Sequence, residues 1–149
     1  MNIIYLLTNF IFFSIILIVE NFLNLIVFNK YLSIAPFFVL LFIFSLTRFS
    51  NKNIFPIMGT GLIYDIFLSE NYLGVYAIVF LLVSVSINYM QEKLVDFNFK
   101  LVFIFGLNYI IYNIPNILSF NFVSTTTLSI FVNYLLFLLI KRVMRLRVQ

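Results

Sequence analysis

The sequence contains no cysteine, no histidine and no tryptophan, and it has few charged residues. The first two absences exclude disulfides, thiol nucleophiles, histidine-based catalytic dyads and nearly all zinc or haem sites within this chain. Charged residues make up 9% of the chain, whereas a soluble domain of this size has roughly 25%. Such a chain cannot cover itself with polar surface, so we expect it to lie in a membrane.

Hydrophobic residues make up 64% of the chain, and most of them lie in long apolar runs. They predict an all-α integral membrane protein, a single domain over residues 1–149 built as a compact bundle of six transmembrane helices. The predicted spans are residues 2–28, 34–46, 54–68, 73–90, 101–120 and 123–140, and a basic tail follows at 141–149.

The second and third spans are short, because a helix needs about 20 residues to cross about 30 Å of hydrocarbon. They are expected to be either tilted partners where the bilayer thins or a broken hairpin inside the bundle. Pro36 falls in the first turn of the second helix, where a missing N–H costs nothing. Pro115 predicts a kink in the fifth helix.

The distribution of basic residues predicts the orientation of the six spans. With both termini in the cytoplasm, the outer connections carry only Lys30 among the basic residues. The inner segments then carry the other eight of the 9 lysines and arginines, namely Arg48, Lys52, Lys93, Lys100, Lys141, Arg142, Arg145 and Arg147. Losing one span before Arg48 would place that residue opposite the tail, so the pattern favours six spans.

The stretch GTGLIYDIFLSENYLGVY places Asp65 inside an apolar helix and crowds glycines around it. Gly61 shares a helix face with Asp65, and small residues allow a neighbouring helix to come close. The glycines are therefore expected to bring another backbone near enough to satisfy the carboxylate. This favours a packing and capping device; the alternative is a binding pocket or proton site. Gly74 is expected at the tight outer turn before the fourth helix.

Glu20 is the other acid inside an apolar span, at a depth comparable to Asp65. The favoured interpretation is that its side chain reaches out to the interface. The alternative is a groove shared with Asp65 that could hold a cation or a proton. Four asparagines are expected to form hydrogen bonds between helices. They are Asn88, Asn108, Asn113 and Asn133.

The basic residues of the tail favour contact with anionic lipid headgroups, or else with a cytoplasmic partner. They are Lys141, Arg142, Arg145 and Arg147. An enzyme is not expected. Intramembrane aspartyl peptidases need two facing aspartates, and only Asp65 is embedded here, because Asp96 falls in a loop. No phosphate-binding glycine loop is present. Neither a metal, a cofactor nor a nucleic acid is expected to bind.

The ordered segments PFFVLLFIF, RFSNKN and GTGLIYDIFLSENYLGVYAIVFLL resemble the bacterial rod shape-determining protein MreD family. That family has a short second helix that begins with proline, a glycine-rich helix that ends in aspartate, and a Leu-Gly turn. The resemblance is strongest over about Ala35–Gln91, and this chain has less alanine and tryptophan than the family. The matching positions are Pro36, Gly59, Gly61, Asp65, Leu73 and Gly74.

The resemblance implies a non-enzymatic scaffold in the bacterial inner membrane that binds an MreC-like partner, a protein with one transmembrane helix. It implies further association with an MreB-like filament and peptidoglycan synthases, to maintain rod shape. It also implies a fold similar to the substrate-binding subunits of energy-coupling-factor transporters. A small-molecule-binding transporter subunit is therefore the alternative function, with a pocket near Glu20 and Asp65. A lipid-handling or phage-encoded membrane protein is a third.

Overall fold

The computed structural model describes residues 3–26, 32–48, 50–69, 72–97, 99–116 and 122–143. These residues form six α-helices and no strand, which confirms the predicted all-helical class. Single 3-10 turns occur at Asn51–Asn53 and Ile114–Asn116. The helices are α1 (Ile3–Ile26), α2 (Pro36–Arg48), α3 (Ile54–Phe67), α4 (Val75–Lys93), α5 (Lys100–Tyr112) and α6 (Phe122–Val143).

Three of these helices are long and apolar enough to cross a membrane, which agrees with the predicted membrane protein. The qualifying segments are Leu6–Leu25, Val75–Lys93 and Thr126–Val143. The other three are apolar but shorter, at Pro36–Thr47, Ile54–Phe67 and Lys100–Tyr112. Two of the short helices were predicted; the shortness of α5 was not.

The helix α5 ends at Tyr112, so the prediction of one kinked helix over residues 101–120 is wrong. The N–H of Asn113 donates to the carbonyls of both Tyr109 and Ile110, which tightens the last turn. Pro115 then lies in the 3-10 turn. Proline has no N–H to donate, and its ring clashes with the carbonyl four residues earlier, so the α-helix stops instead of bending.

The short helix α2 lies at the centre of the bundle. Pro36 falls in its first turn as predicted, although the helix begins at Pro36 and not at residue 34. It packs against α1, α4, α5 and α6, whereas α3 packs mainly against α1 and α4. Of the two arrangements considered for the short second and third spans, the broken hairpin of α2 with α3 is therefore not formed. A helix that is apolar on every side is a buried helix. Its fully buried side chains are Phe37, Phe38, Val39, Leu41 and Phe42.

Aromatic rings fill the space between α2 and its neighbours. The ring of Phe38 meets those of Phe105 and Tyr109 edge to face, with centroids 5.1 Å apart in both pairs. Phe42 contacts Phe105 and Phe137, at 5.0 and 5.2 Å. Edge-to-face packing suits the ring quadrupole, and in a bilayer such van der Waals contact is a main source of helix association.

Candidate functional site

The carboxylate of Asp65, near the end of α3, caps the first turn of α4. Its Oδ2 accepts hydrogen bonds from the backbone N–H groups of Gly74 and Ala77, at 2.9 and 3.4 Å. Its Oδ1 accepts from the N–H of Tyr76 at 3.1 Å. The first N–H groups of a helix lack partners within the helix and form the positive end of its dipole. The hydroxyl of Ser69 also donates to Oδ1, at 3.4 Å, so backbone N–H groups supply most but not all of the donors to this buried carboxylate.

Gly61 makes that contact possible, because a side chain there would collide with α4. A Cβ on Gly61 would overlap the Cα of Ala77 and lie 2.5 Å from its backbone nitrogen. Both obstructing atoms belong to the backbone, so a side chain of α4 cannot simply rotate away. The predicted close approach of a second backbone to Asp65 is confirmed, in the form of the packing and capping device.

Among the other positions that match the MreD family, Gly74 belongs to the same contact between α3 and α4, whereas Gly59 and Leu73 do not. Gly74 has φ +96°, a left-handed conformation that favours glycine, and it directly precedes α4 as predicted. Leu73 beside it is exposed. A Cβ on Gly59 would lie 2.8 Å from the ring of Phe10 on α1, so Gly59 serves the α1 to α3 contact. We call the set Gly61, Asp65 and Gly74 the α3–α4 junction.

Glu20 on α1 performs a similar task at the start of α2. Its side chain is buried, its Oε2 accepts from the N–H of Phe37 at 2.8 Å, and its Oε1 accepts from the hydroxyl of Tyr112 at 2.7 Å. The favoured interpretation that Glu20 reaches out to the interface is therefore wrong. The free N–H groups at the start of α2 and the hydroxyl of α5 attract the carboxylate inward.

Side chains from α1 and α6 hold the extended backbone that leads into α2. Asn24 pairs with both backbone groups of Ile34, at 2.8 and 2.9 Å. Asn133 accepts from the N–H of Ala35 at 2.7 Å and donates to the carbonyl of Ser33 at 3.0 Å. Ser129 accepts from the N–H of Ser33 at 3.0 Å. Non-helical backbone is tolerated at membrane depth only where protein satisfies it in this way.

These contacts place the first turn of α2 beside Glu20 of α1, and not beside the end of α1. Glu20 lies six residues before the end of α1 at Ile26, which is about 9 Å along the helix axis. Ile34 bonds to Asn24, and Phe37 bonds to Glu20, which lies four residues before Asn24 on α1. The extended segment before α2 therefore runs antiparallel to α1 and alongside it. We call this arrangement of Glu20, Asn24 and Asn133 around residues 33–37 the α2 recess.

A polar cavity of about 90 Å³ opens in the α2 recess. Glu20 lines it, whereas Asp65 is not among its lining residues. Both oxygens of Asp65 instead face the start of α4. The other lining residues are Asn24, Ser33, Ala35, Tyr64, Tyr76, Tyr109, Tyr112 and Asn113.

Two of the four predicted asparagines make contacts between helices, and the other two make local contacts. Of the four asparagines, Asn133 joins separate helices through backbone and hydroxyl bonds, and Asn108 reaches the sulfur of Met90 at 3.7 Å. Asn88 and Asn113 bond within their own helical turns. In the described part of the chain, no group of three acidic, histidine or cysteine side chains could hold a metal ion.

The basic residues at the end of α6 are only partly described. Lys141 is half-buried and Arg142 is exposed in the last turn of that helix. Lys30, Arg145 and Arg147 lie outside the described residues, as does the rest of the tail.

Neither a protein-family model, nor a curated protein, nor a solved structure matches this chain. The site must therefore be interpreted from its own geometry.

Several residues of the α2 recess were not singled out from the sequence. They are Asn24, Ser33, Tyr109, Tyr112 and Ser129. One available signal was the spacing of polar residues within apolar helices. Glu20 and Asn24 are four residues apart on α1, and Ser129 and Asn133 are four apart on α6, so each pair shares one face.

Proposed function

We propose that this chain is a non-enzymatic membrane scaffold similar to MreD, spanning the bacterial inner membrane six times with both termini in the cytoplasm. In this proposal it binds an MreC-like protein through that partner's single transmembrane helix. The complex would associate with an MreB-like filament and peptidoglycan synthases and so help to maintain rod shape. The basic end of α6 would contact anionic lipids.

The observation that carries the proposal is the α3–α4 junction. Each motif residue there has a backbone role that few other residues can fill: Gly61 permits contact with Ala77, Asp65 caps α4, and Gly74 adopts a left-handed φ. An ordered set with such linked roles is a poor candidate for chance similarity. It supports the resemblance over the segment where the resemblance is strongest.

The outer face of α1 offers a surface suited to one apolar helix. Exposed residues recur there at alternating spacings of four and three, the pattern of a helix pair with interlocking side chains. Three isoleucines and one leucine of the set are spaced by seven residues. The set, which we call the α1 seam, is Ile4, Thr8, Ile11, Ile15, Ile18, Phe22 and Leu25.

The first experiment is affinity purification of the tagged chain from its native membrane in a mild detergent, followed by mass spectrometry. We expect an MreC-like protein at comparable abundance. Recovery of an ATPase module with a coupling subunit would instead support the transporter alternative. Recovery of neither would count against both.

A second experiment locates the partner surface. Ile11→Trp combined with Ile18→Trp places two bulky rings on the α1 seam, where they prevent interlocking but remain compatible with lipid. Leu135→Trp combined with Leu139→Trp makes the same change on exposed positions of α6. We expect the first pair to reduce recovery of the partner severalfold and the second to leave it unchanged. Equal recovery from both would exclude the α1 seam.

The size of the polar cavity counts against the transporter alternative. Pockets that bury drug-sized molecules have volumes of about 300–1,000 Å³. The cavity beside Glu20 has about 90 Å³, too little for a vitamin-sized substrate. Saturable binding of such a substrate to the purified protein would reverse this conclusion.

A further inference from the structure

Among the described residues, the charged side chain that lines the cavity in the α2 recess is an acid. The cavity contains one carboxylate, that of Glu20, and neither lysine nor arginine occurs among its described lining residues. In the described part of the chain the ion pair found is Lys100 with Asp96, remote in sequence from this cavity, and Glu20 has no cationic side chain as a partner.

The hydrogen bonds of Glu20 leave it acceptor capacity. An ionised carboxylate offers about four lone-pair sites; Phe37 and Tyr112 use one on each oxygen, and the backbone N–H of Phe38 also interacts with the carboxylate. The start of α2 carries only about half a positive charge, so it offsets about half of the carboxylate's unit charge. Among the described residues, no cationic side chain offsets the remainder of that charge.

The other lining groups suit a cation as well. The side-chain amide of Asn113 donates its N–H to the carbonyl of Tyr109, and its oxygen is a further acceptor. Tyr64 and Tyr76 lie with ring centroids 4.3 Å apart at the cavity. Aromatic faces attract cations, most strongly where water is excluded.

The volume limits the size of the ligand. A water molecule occupies about 30 Å³ in the liquid, so about 90 Å³ accommodates an ion of similar size with one or two waters. We propose that the α2 recess binds a small monovalent cation, either an alkali metal ion or a primary ammonium group, between the Glu20 carboxylate, Asn113 and the tyrosine rings. This inference does not depend on the scaffold function.

Tyrosine fluorescence provides a direct measurement. The chain has no tryptophan, and 4 of its 9 tyrosines line the cavity. The full chain in lipid nanodiscs would be titrated with sodium, potassium, ammonium or methylammonium chloride, replacing N-methylglucamine chloride at constant ionic strength. We expect a saturable fluorescence change and a rise in the unfolding temperature. A response to alkali ions alone identifies a metal ion, and a response that includes methylammonium identifies an amine group.

Two acidic residues provide a matched pair of variants. Glu20→Gln keeps the shape and one acceptor oxygen but removes the charge, and should weaken cation binding at least tenfold. Glu92→Gln alters an exposed acid that accepts from Asn88 in the described part of the chain, and it should change nothing. Absence of a saturable response in the unmodified chain, or equal affinity in both variants, would overturn the proposal.

A third variant, designed to bind the cation more tightly, keeps the proposal testable even if the Glu20→Gln protein does not fold. Asn113→Asp adds a second carboxylate to the lining at the cost of one local hydrogen bond. It should tighten binding of the same cation severalfold. Unchanged or weaker binding would contradict a cation site, whatever the behaviour of the Glu20 variant.

Discussion

The α3–α4 junction and the α2 recess each satisfy a buried carboxylate, but the hydrogen-bond donors differ in kind and in their distance along the chain. In each, a buried carboxylate on one helix accepts from the first N–H groups of the next helix. Asp65 is satisfied almost wholly by backbone 9 to 12 residues further along the chain. Glu20 relies also on Tyr112, 92 residues away.

We therefore call the α3–α4 junction the local device, because its groups are close in sequence. We call the α2 recess the global device, because its groups come from distant helices. The α3–α4 junction needs only a glycine, an aspartate and a turn of the right shape, all close in sequence. The α2 recess exists only when α1, α5 and α6 have assembled around residues 33–37. Among the described residues, the polar cavity is lined by Glu20 of the α2 recess and not by Asp65 of the α3–α4 junction.

The largest effect is expected from Asp65→Leu. It removes the acceptor of three backbone N–H groups at the start of α4, and each unsatisfied buried donor costs about 1–3 kcal/mol. We expect a loss of about 3 kcal/mol or more in the free energy of unfolding, measured by thermal or denaturant unfolding in a mild detergent. Partner recovery should fall with it. Unchanged stability and unchanged cell shape would mean that the cap is dispensable.

Gly61→Ala should follow at about 2–3 kcal/mol, because its new Cβ meets backbone atoms of Ala77 and α4 must move. Gly106→Ala is the matched control, since a Cβ there meets no atom within 4 Å and α5 gains helix propensity of about 0.5–1 kcal/mol. Opposite signs of the two changes in unfolding temperature would support the close approach. Equal changes would contradict it.

Asn133→Leu tests the global device, with an expected loss of about 2 kcal/mol. It leaves the N–H of Ala35 and the carbonyl of Ser33 without this partner inside the bundle. Cysteine cross-linking between α2 and α6 would report whether the recess has opened. A loss as large as that of Asp65→Leu would mean that assembly, and not the local junction, dominates stability.

The smallest effect is expected from Glu20→Gln, about 1 kcal/mol or less. Glutamine can still accept from one of the two donors, Phe37 or Tyr112, and it no longer buries a charge. The same unfolding measurement applies. A loss above that of Asn133→Leu would show that the charge itself holds α2 in place, and the two carboxylates would then be energetically alike.

The sequence alone determined the helical class and the approximate bounds of the helices, because apolar runs and charged interruptions are local signals. It also determined the contents of the α3–α4 junction, since Gly61, Asp65 and Gly74 lie within one hairpin. The sequence did not predict that α5 ends at Tyr112, because a proline predicts that a helix is disrupted but not whether it kinks or stops.

Only the tertiary structure decided which helix is central and where Glu20 points. By sequence, α1 and α2 have similar apolar character. In the structure, α2 lies at the centre of the bundle with most of it buried apart from a stripe that includes the half-buried Pro36, Leu40 and Phe44, whereas α1 lies at the edge. The partners of Glu20 and Asn133 lie up to 100 residues away, and no local pattern encodes such distances. Hydrogen bonding of a buried polar group depends on what assembly brings beside it, so the α2 recess and its cavity emerge only from the packed helices.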